Sequence, residues 1–357
     1  MERKEIKPNS VLLARQVRGL SQKELADKVH VSPAFLSKVE HGLSKAPAEL
    51  ITQFANVLQF RESFFYESKD LINPLSLVWK KRASLDAKEK NRILSWSNIR
   101  IYELEKLLRD VDIAIQIPRF EIDDGYANPS EVAAAVRQFW KVPRGPIPNL
   151  VGLIEQAGVI VMPLDSDSSL FDGFVLRHAK APIIFINKNI PASRMRFALA
   201  HELGHLVMHT WVGGHEEDEA NLFASSFLMP EDDISINLAE MNWDNILYLK
   251  NAWKVSMAAL IFRAEQIGTI SSTRKTTMFQ TLSRKGWRTR EPGEFQKEKP
   301  NLIKTLLDIH KNELGYSADE ISELMNLSQS DYYETYEPVI YPVSPKYLSF
   351  VPKTQLN

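Results

Sequence analysis

Two histidines four residues apart, His201 and His205, with Glu202 directly after the first, constrain this chain more than any other feature. The spacing serves one ion only if the backbone between them is helical. An α-helix turns about 100° per residue, so positions four apart share a face, roughly 6 Å apart along the axis. Both imidazoles then reach a single metal ion, while Glu202 is offset enough to meet a water there instead of the ion. The flanking residues permit this helix. No proline interrupts Ser193 to His209, Ser193 has N-cap chemistry, and Phe197, Ala200, Leu203, Leu206 and Val207 recur at helical intervals. Gly204 costs a helix about 1 kcal/mol relative to alanine. A small residue between two ligands therefore points to a close neighbour, and Gly213-Gly214 predicts a turn that ends the region.

The pentapeptide matches the H-E-x-x-H arrangement in which two histidines hold zinc and the glutamate acts as base. An amphipathic helix that merely carries two histidines is the competing reading. A catalytic zinc usually takes three protein ligands. The chain has no cysteine. That excludes a disulfide framework, a cysteine zinc ribbon and a thiol nucleophile, and leaves histidine and carboxylate as ligands. His209 lies roughly 12 Å along the axis from His201, too far to share an ion, and reads as a helix-end histidine facing the dipole. Residues 215–230 predict a second helix stopped by Pro230, with Phe223, Phe227 and Leu222 on its apolar side. Glu217 shares a face with Ala220, Asn221 and Ala224, small residues that let this helix approach the first. Glu217 is accordingly the expected third ligand, with Glu219 as its rival. Asn221 is placed to hydrogen-bond a ligating histidine.

Arg194-x-Arg196-Phe197-Ala198-Leu199-Ala200 before the pentapeptide, Glu217-x-x-Ala220-Asn221-x-Phe223-Ala224 after it, and Phe227-Leu228-Met229-Pro230 together resemble the ImmA/IrrE family of metallopeptidases. Trp253-Lys-Val-Ser-Met257, Arg263-Ala264, Gly286-Trp287-Arg288 and Glu291-Pro292 carry the resemblance over about residues 145–290. It implies a zincin-like α+β domain, Zn2+ on two histidines and one glutamate, Glu202 as general base, and a repressor-like protein as substrate.

Residues 8–66 read as a run of short helices. Ser21 and Glu24 form a capping box. Ser32 caps the next helix, with Pro33 at its first position, and the helix continues through Phe35, Leu36 and Val39 to Gly42. Two short helices on a tight turn make a helix-turn-helix, whose second helix reads the major groove. Leu20-Ser21-Gln22-x-Glu24-Leu25-Ala26, Val31-Ser32 and Leu36-Ser37-x-Val39-Glu40-x-Gly42 resemble the XRE family of phage-repressor-like DNA-binding domains. The resemblance implies double-stranded operator DNA as partner and brings Gln22 near a phosphate. It leaves Pro33, Ala34, Ser37 and Lys38, beside Ser32, at recognition positions. A protein-contact module with the same core is the alternative.

At 357 residues the chain has room for two or three domains. The expected class is mainly α with a small β-sheet (α+β). A helix-turn-helix domain at 1–67 and a linker with a connecting helix at 68–127 precede the metallopeptidase domain at 128–292, and a C-terminal helical module occupies 293–357. The connecting helix, 85–111, is suited to separating domains or to forming a homodimer. Strands are predicted at 159–162, 173–176 and 182–186, a helix at 247–268, and three short helices in the tail. The net charge of −1 carries no global nucleic-acid signal, although Lys80, Lys81, Arg82, Lys88, Lys90 and Arg92 form a basic stretch. No apolar run approaches the roughly 20 residues that span a bilayer, and the N-terminus lacks a signal-peptide core, so no membrane partner and a cytoplasmic location are expected.

The leading expectation is a DNA-binding regulator fused to a zinc-dependent endopeptidase that cleaves a regulatory protein. The alternative is a non-proteolytic transcription factor using the second domain as a sensor or dimerisation module. A toxin–antitoxin or mobile-element pair also fits the pattern. His215, Tyr248 and Arg263 are candidates for stabilising an oxyanion.

Overall fold

The computed structural model describes residues 5–67, 71, 85–120, 128–209, 215–336 and 348–350. Most of the expected linker, with Lys80, Lys81 and Arg82, and the Gly213-Gly214 turn lie outside these residues. The class is α+β, as expected.

Helices α1 (Pro8–Val17), α2 (Gln22–Lys28), α3 (Pro33–Glu40) and α4 (Ala48–Leu58), then a 3-10 turn at Glu62–Tyr66, enclose a core built on Val11, Leu25, Leu36, Val39, Phe54 and Phe65. The Ser21–Glu24 capping box and the Ser32 cap both form, which fixes where α2 and α3 begin. Buried Arg15 of α1 holds Glu40 at the end of α3 through two bonds of 2.5 and 2.9 Å.

Helix α5 (Ala87–Leu107), the segment expected to separate domains or to form a homodimer, packs into two cores. Ile99 and Trp96 join the N-terminal core, and Ile93, Ile101, Leu104 and Leu107 join a second core on the other side. Ser95 Oγ donates to Gln16 Oε1 at 2.5 Å, and Lys106 pairs with Glu67 at 2.8 Å. Several of its buried polar groups find partners close by: Ser97 and Asn98 donate to the carbonyls of Ile93 and Leu94, and Arg100 pairs with Glu103.

Beyond α5 come β1 (Val111–Ile113), α6 (Pro129–Phe139), α7 (Leu150–Gln156), β2 (Ile160–Leu164), β3 (Gly173–Leu176) and β4 (Ile183–Asn187). The three predicted strands form at nearly the expected places, in the order β2-β4-β3, with β2 parallel and β3 antiparallel to β4. Alternation splits their side chains between two cores. Val161, Val175, Ile184 and Ile186 face one, while Ile160, Met162, Leu164, Phe174 and Phe185 face the other.

The first of these cores contains α8 (Ala192–Met208), α9 (Glu216–Leu228), α10 (Glu231–Leu238), α11 (Trp243–Trp253), α12 (Met257–Gln266) and α13 (Ser272–Arg284). The second contains α5 with α14 (Leu302–Asn312), α15 (Ala318–Leu324) and α16 (Gln329–Tyr336). The tail helices therefore cover the back of the sheet together with α5. Strand β5 (Leu348–Phe350) pairs antiparallel with β1.

The single helix expected at 247–268 is two. Lys254 turns left-handed (φ +52°) and Ser256 starts α12 by accepting the Ala259 N–H at 3.0 Å. The apolar rhythm of Trp253, Met257, Leu260 and Ile261 runs on across the break, with no glycine or proline to announce it.

The segment from Glu291 to Asn301 ties these helices together through their N-termini. Glu291 accepts from the N–H groups of Met257 and Ala258 (2.9 and 3.3 Å), Glu294 from Ser193 (2.9 Å), and Glu298 from Val151 (2.8 Å). Reciprocally, Glu155 accepts from Asn301 and Leu302 at the start of α14, at 2.9 and 3.1 Å. Each carboxylate satisfies donors that a helix start leaves open, where the dipole also favours negative charge. Fully buried Lys250 joins Glu291 and Glu294 at 2.7 and 2.8 Å. No described helix is long and apolar enough to cross a membrane.

Candidate metal centre

Helix α8 is buried on nearly every side, with β3 and β4 against one flank and α9 against another. Its start differs from expectation. Pro191 occupies the N-cap, Ser193 lies inside the helix, and Glu294 supplies the missing acceptor.

Nε2 of His201 lies 3.0 Å from Nε2 of His205. Glu217 of α9 brings Oε1 to 3.4 Å from His205 Nε2 and Oε2 to 3.7 Å from His201 Nε2. The three residues can offer one ligand atom each, all within 4.8 Å of one another. Two imidazoles and a carboxylate are a donor set that suits zinc. Asn221, one turn beyond Glu217, places Oδ1 3.0 Å from His201 Nδ1. Glu219 goes elsewhere, with Oε2 2.9 Å from His209 Nε2. Glu202 is 5% exposed and lines a cleft with Leu85, Leu170, Phe171, Arg194 and Phe197. Arg194 pairs with Asp172 in the same cleft at 2.7 Å.

His209 sits where the axial distance demanded, outside the ligand group, but not as a charged partner of the helix dipole. It is buried, its Nδ1 lies 2.9 Å from His205 Nδ1, and burial pushes its imidazole below the usual histidine range. The carbonyls at this helix end are taken by Arg177 Nη2, which donates to His205, Leu206 and His209 at 3.1, 2.9 and 2.6 Å. Of the oxyanion candidates, Arg263 is buried and committed to Met229 O at 2.9 Å, and Tyr248 and His215 are exposed.

In the N-terminal module, Pro33, Ala34 and Lys38 are exposed on α3, Ser32 is exposed with its oxygen capping Phe35 N–H, and Ser37 is half-buried. Gln22 Nε2 donates to Glu40 Oε2 at 2.8 Å, which holds it at the α2–α3 junction.

Residues 154–265 match the family model of the IrrE N-terminal-like domain, a peptidase family, and residues 12–65 match that of the helix-turn-helix. The chain is a helix-turn-helix of XRE type fused to an IrrE-like, metallopeptidase-family domain. No curated protein matches the chain. The match to the IrrE-like domain runs from α7 into α12 and takes in the sheet, α8 and α9. Leu85 and the helix-turn-helix fall outside it, so one wall of the cleft comes from the start of the connecting segment. Nothing in the sequence around Leu85, Asp172 or Arg177 marked these residues, because each acts on a partner distant along the chain.

The close neighbour expected beside Gly204 is α9 of the IrrE-like domain. A Cβ at this position would stand 3.0 Å from Phe223 Cδ1 and 3.3 Å from Ala220 Cα. Gly204→Val is therefore expected to lower stability by about 1–3 kcal/mol through overpacking. It should also weaken metal binding, because the helix pushed away carries Glu217. Denaturant unfolding and chelator competition read the two effects, and an unchanged metal affinity would break the link between helix spacing and Glu217.

Proposed function

We propose that the chain is a DNA-binding regulator whose IrrE-like domain is a zinc-dependent endopeptidase acting on a regulatory protein. The observation that carries this reading is the convergence of His201, His205 and Glu217 beside a cleft that Glu202 lines. His201 and His205 would hold the ion through Nε2, and Glu217 through its carboxylate. Zinc bound there would supply Lewis-acid polarisation of a carbonyl and would make a nearby water more acidic. Glu202 accepts the proton from the attacking water at its carboxylate and returns it to the leaving amine. Asn221 Oδ1 accepts a hydrogen bond from His201 Nδ1–H and so leaves the Nε2 lone pair free for an ion.

Burial of Glu202 keeps bulk water from competing for that proton. Among the described residues β3 has a partner strand on one side only, and its Gly173 lines the cleft. An extended substrate segment adding to β3 would pass Glu202, which favours cleavage of unfolded or looped chain over folded domains.

The test uses the purified full chain: metal analysis, then cleavage of a mixed peptide library by the wild type and by Glu202→Gln. Zinc bound by the wild type and cleavage abolished in the variant is the expected result. A wild type that binds no metal would overturn the reading.

For the N-terminal half, the exposed recognition-helix residues would meet double-stranded DNA, with Lys38 reaching a phosphate or base edge. Lys38→Glu is expected to weaken binding to the protein's own upstream region by about 10-fold or more in a gel shift at fixed salt. Equal binding by this variant would count against α3 as the reading helix.

A further inference from the structure

We propose that His209 and Glu219 form an outer relay that fixes the tautomer and ring orientation of His205 and so sets the metal affinity of the centre. This inference rests on the reading of His205 as a metal ligand.

Three side chains, His205, His209 and Glu219, follow one another in hydrogen-bond contact. His205 Nε2 faces the proposed ion, His205 Nδ1 lies 2.9 Å from His209 Nδ1, and His209 Nε2 lies 2.9 Å from Glu219 Oε2. The direction of the protons follows from the far end. An ionised carboxylate only accepts, so His209 carries its proton on Nε2 and donates to Glu219. In a neutral ring the other nitrogen is then an acceptor, so His209 Nδ1 accepts a hydrogen bond from His205 Nδ1–H. His205 is thereby left with its lone pair on Nε2, the nitrogen 3.0 Å from His201 Nε2 and 3.4 Å from Glu217 Oε1.

The relay is held rigidly from both helices. His209 is the residue that ends α8, and Arg177 pins its carbonyl at 2.6 Å. Glu219 lies two residues after Glu217 on α9, so one helix start delivers both the proposed ligand and the terminus of the relay. His201 has a shorter arrangement, ending directly on Asn221. Both ligating rings are thus oriented from α9, by different chemistry.

Three variants of the full chain test the role of His209 as a positioning residue: His209→Phe, His209→Gln and Glu219→Ala. Zinc affinity is measured by chelator competition, and the ligand field by the visible spectrum after cobalt substitution. His209→Phe keeps the ring and removes both nitrogens. It is expected to weaken zinc binding about 10–100-fold and to alter the cobalt spectrum. His209→Gln keeps an acceptor and is expected to recover part of the affinity, which a role in packing alone would not predict. Glu219→Ala, altered at a partly exposed helix start, is expected to weaken zinc binding in the same direction and serves if the His209 variants fail to fold.

Zinc affinity within twofold of wild type in both His209→Phe and Glu219→Ala overturns the relay alone. A wild type that binds no zinc overturns the relay together with the reading beneath it.

Discussion

Glu202→Gln is expected to keep its zinc and to lose cleavage by about 10²–10⁴-fold, the usual contribution of a positioned acid–base group. Glutamine preserves the shape of the side chain, so the cleft wall with Leu85, Phe171 and Phe197 stays intact. Its amide neither takes nor returns a proton near neutral pH. Glu202 is also absent from the group whose ligand atoms converge, so metal content should not change. Chelation of the wild type should produce a comparable loss that added zinc reverses. Loss of zinc from Glu202→Gln would assign this carboxylate to the ion rather than to the proton. Cleavage at the wild-type rate would remove the general base from the mechanism.

Lys250→Met should be the most destabilising of the substitutions considered, by about 3–5 kcal/mol, the usual cost of removing one partner from a buried ion pair. Lys250 is fully buried between Glu291 and Glu294, and methionine would fill its volume while leaving the two carboxylates without their cation. Those carboxylates also cap α12 and α8, so the loss reaches the helix that carries His201 and His205. Desolvation raises the Glu294 pKa, but Lys250 and the Ser193 N–H outweigh it and hold the carboxyl below the ordinary range. A depressed folded-state pKa gives stability that is present above the unfolded value and is lost as pH falls through the folded one. The wild type should therefore lose this contribution on the acid side, and Lys250→Met should show a flatter acid limb. Denaturant unfolding between neutral and acidic pH measures both effects. An unchanged midpoint at neutral pH would contradict the assigned role of Lys250.

What was legible in the sequence was local. The helix under His201 and His205, the caps at Ser21 and Ser32, and the strands all follow from spacing and side-chain type within a few residues. Gly204 was informative because its cost in a helix required a compensating neighbour, and that neighbour is Phe223. The choice of Glu217 over Glu219 came from the small residues on its face, and the structure brings Glu217 to both imidazoles and Glu219 to His209. What was illegible acts across long stretches of chain. Glu294 starts α8 from about a hundred residues away, so Ser193 took a role it does not have. The break at Lys254 depends on a non-glycine residue adopting a left-handed backbone, which no residue type announces. Nor did the sequence show that α5 packs on two sides, because its burial depends on Ser97 and Asn98 bonding carbonyls one turn back.

The packing of α5 between two cores bears on how such a chain can be recombined. A DNA-reading module cut away near residue 66 would uncover Ile99 and Trp96 and leave Gln16 without Ser95. A cut after α5 is no cleaner, because Ile93, Ile101, Leu104 and Leu107 of the same helix belong to the second core. A graft that retargets the protein to another operator must import residues matched to the Ile99 face or accept an exposed apolar seam.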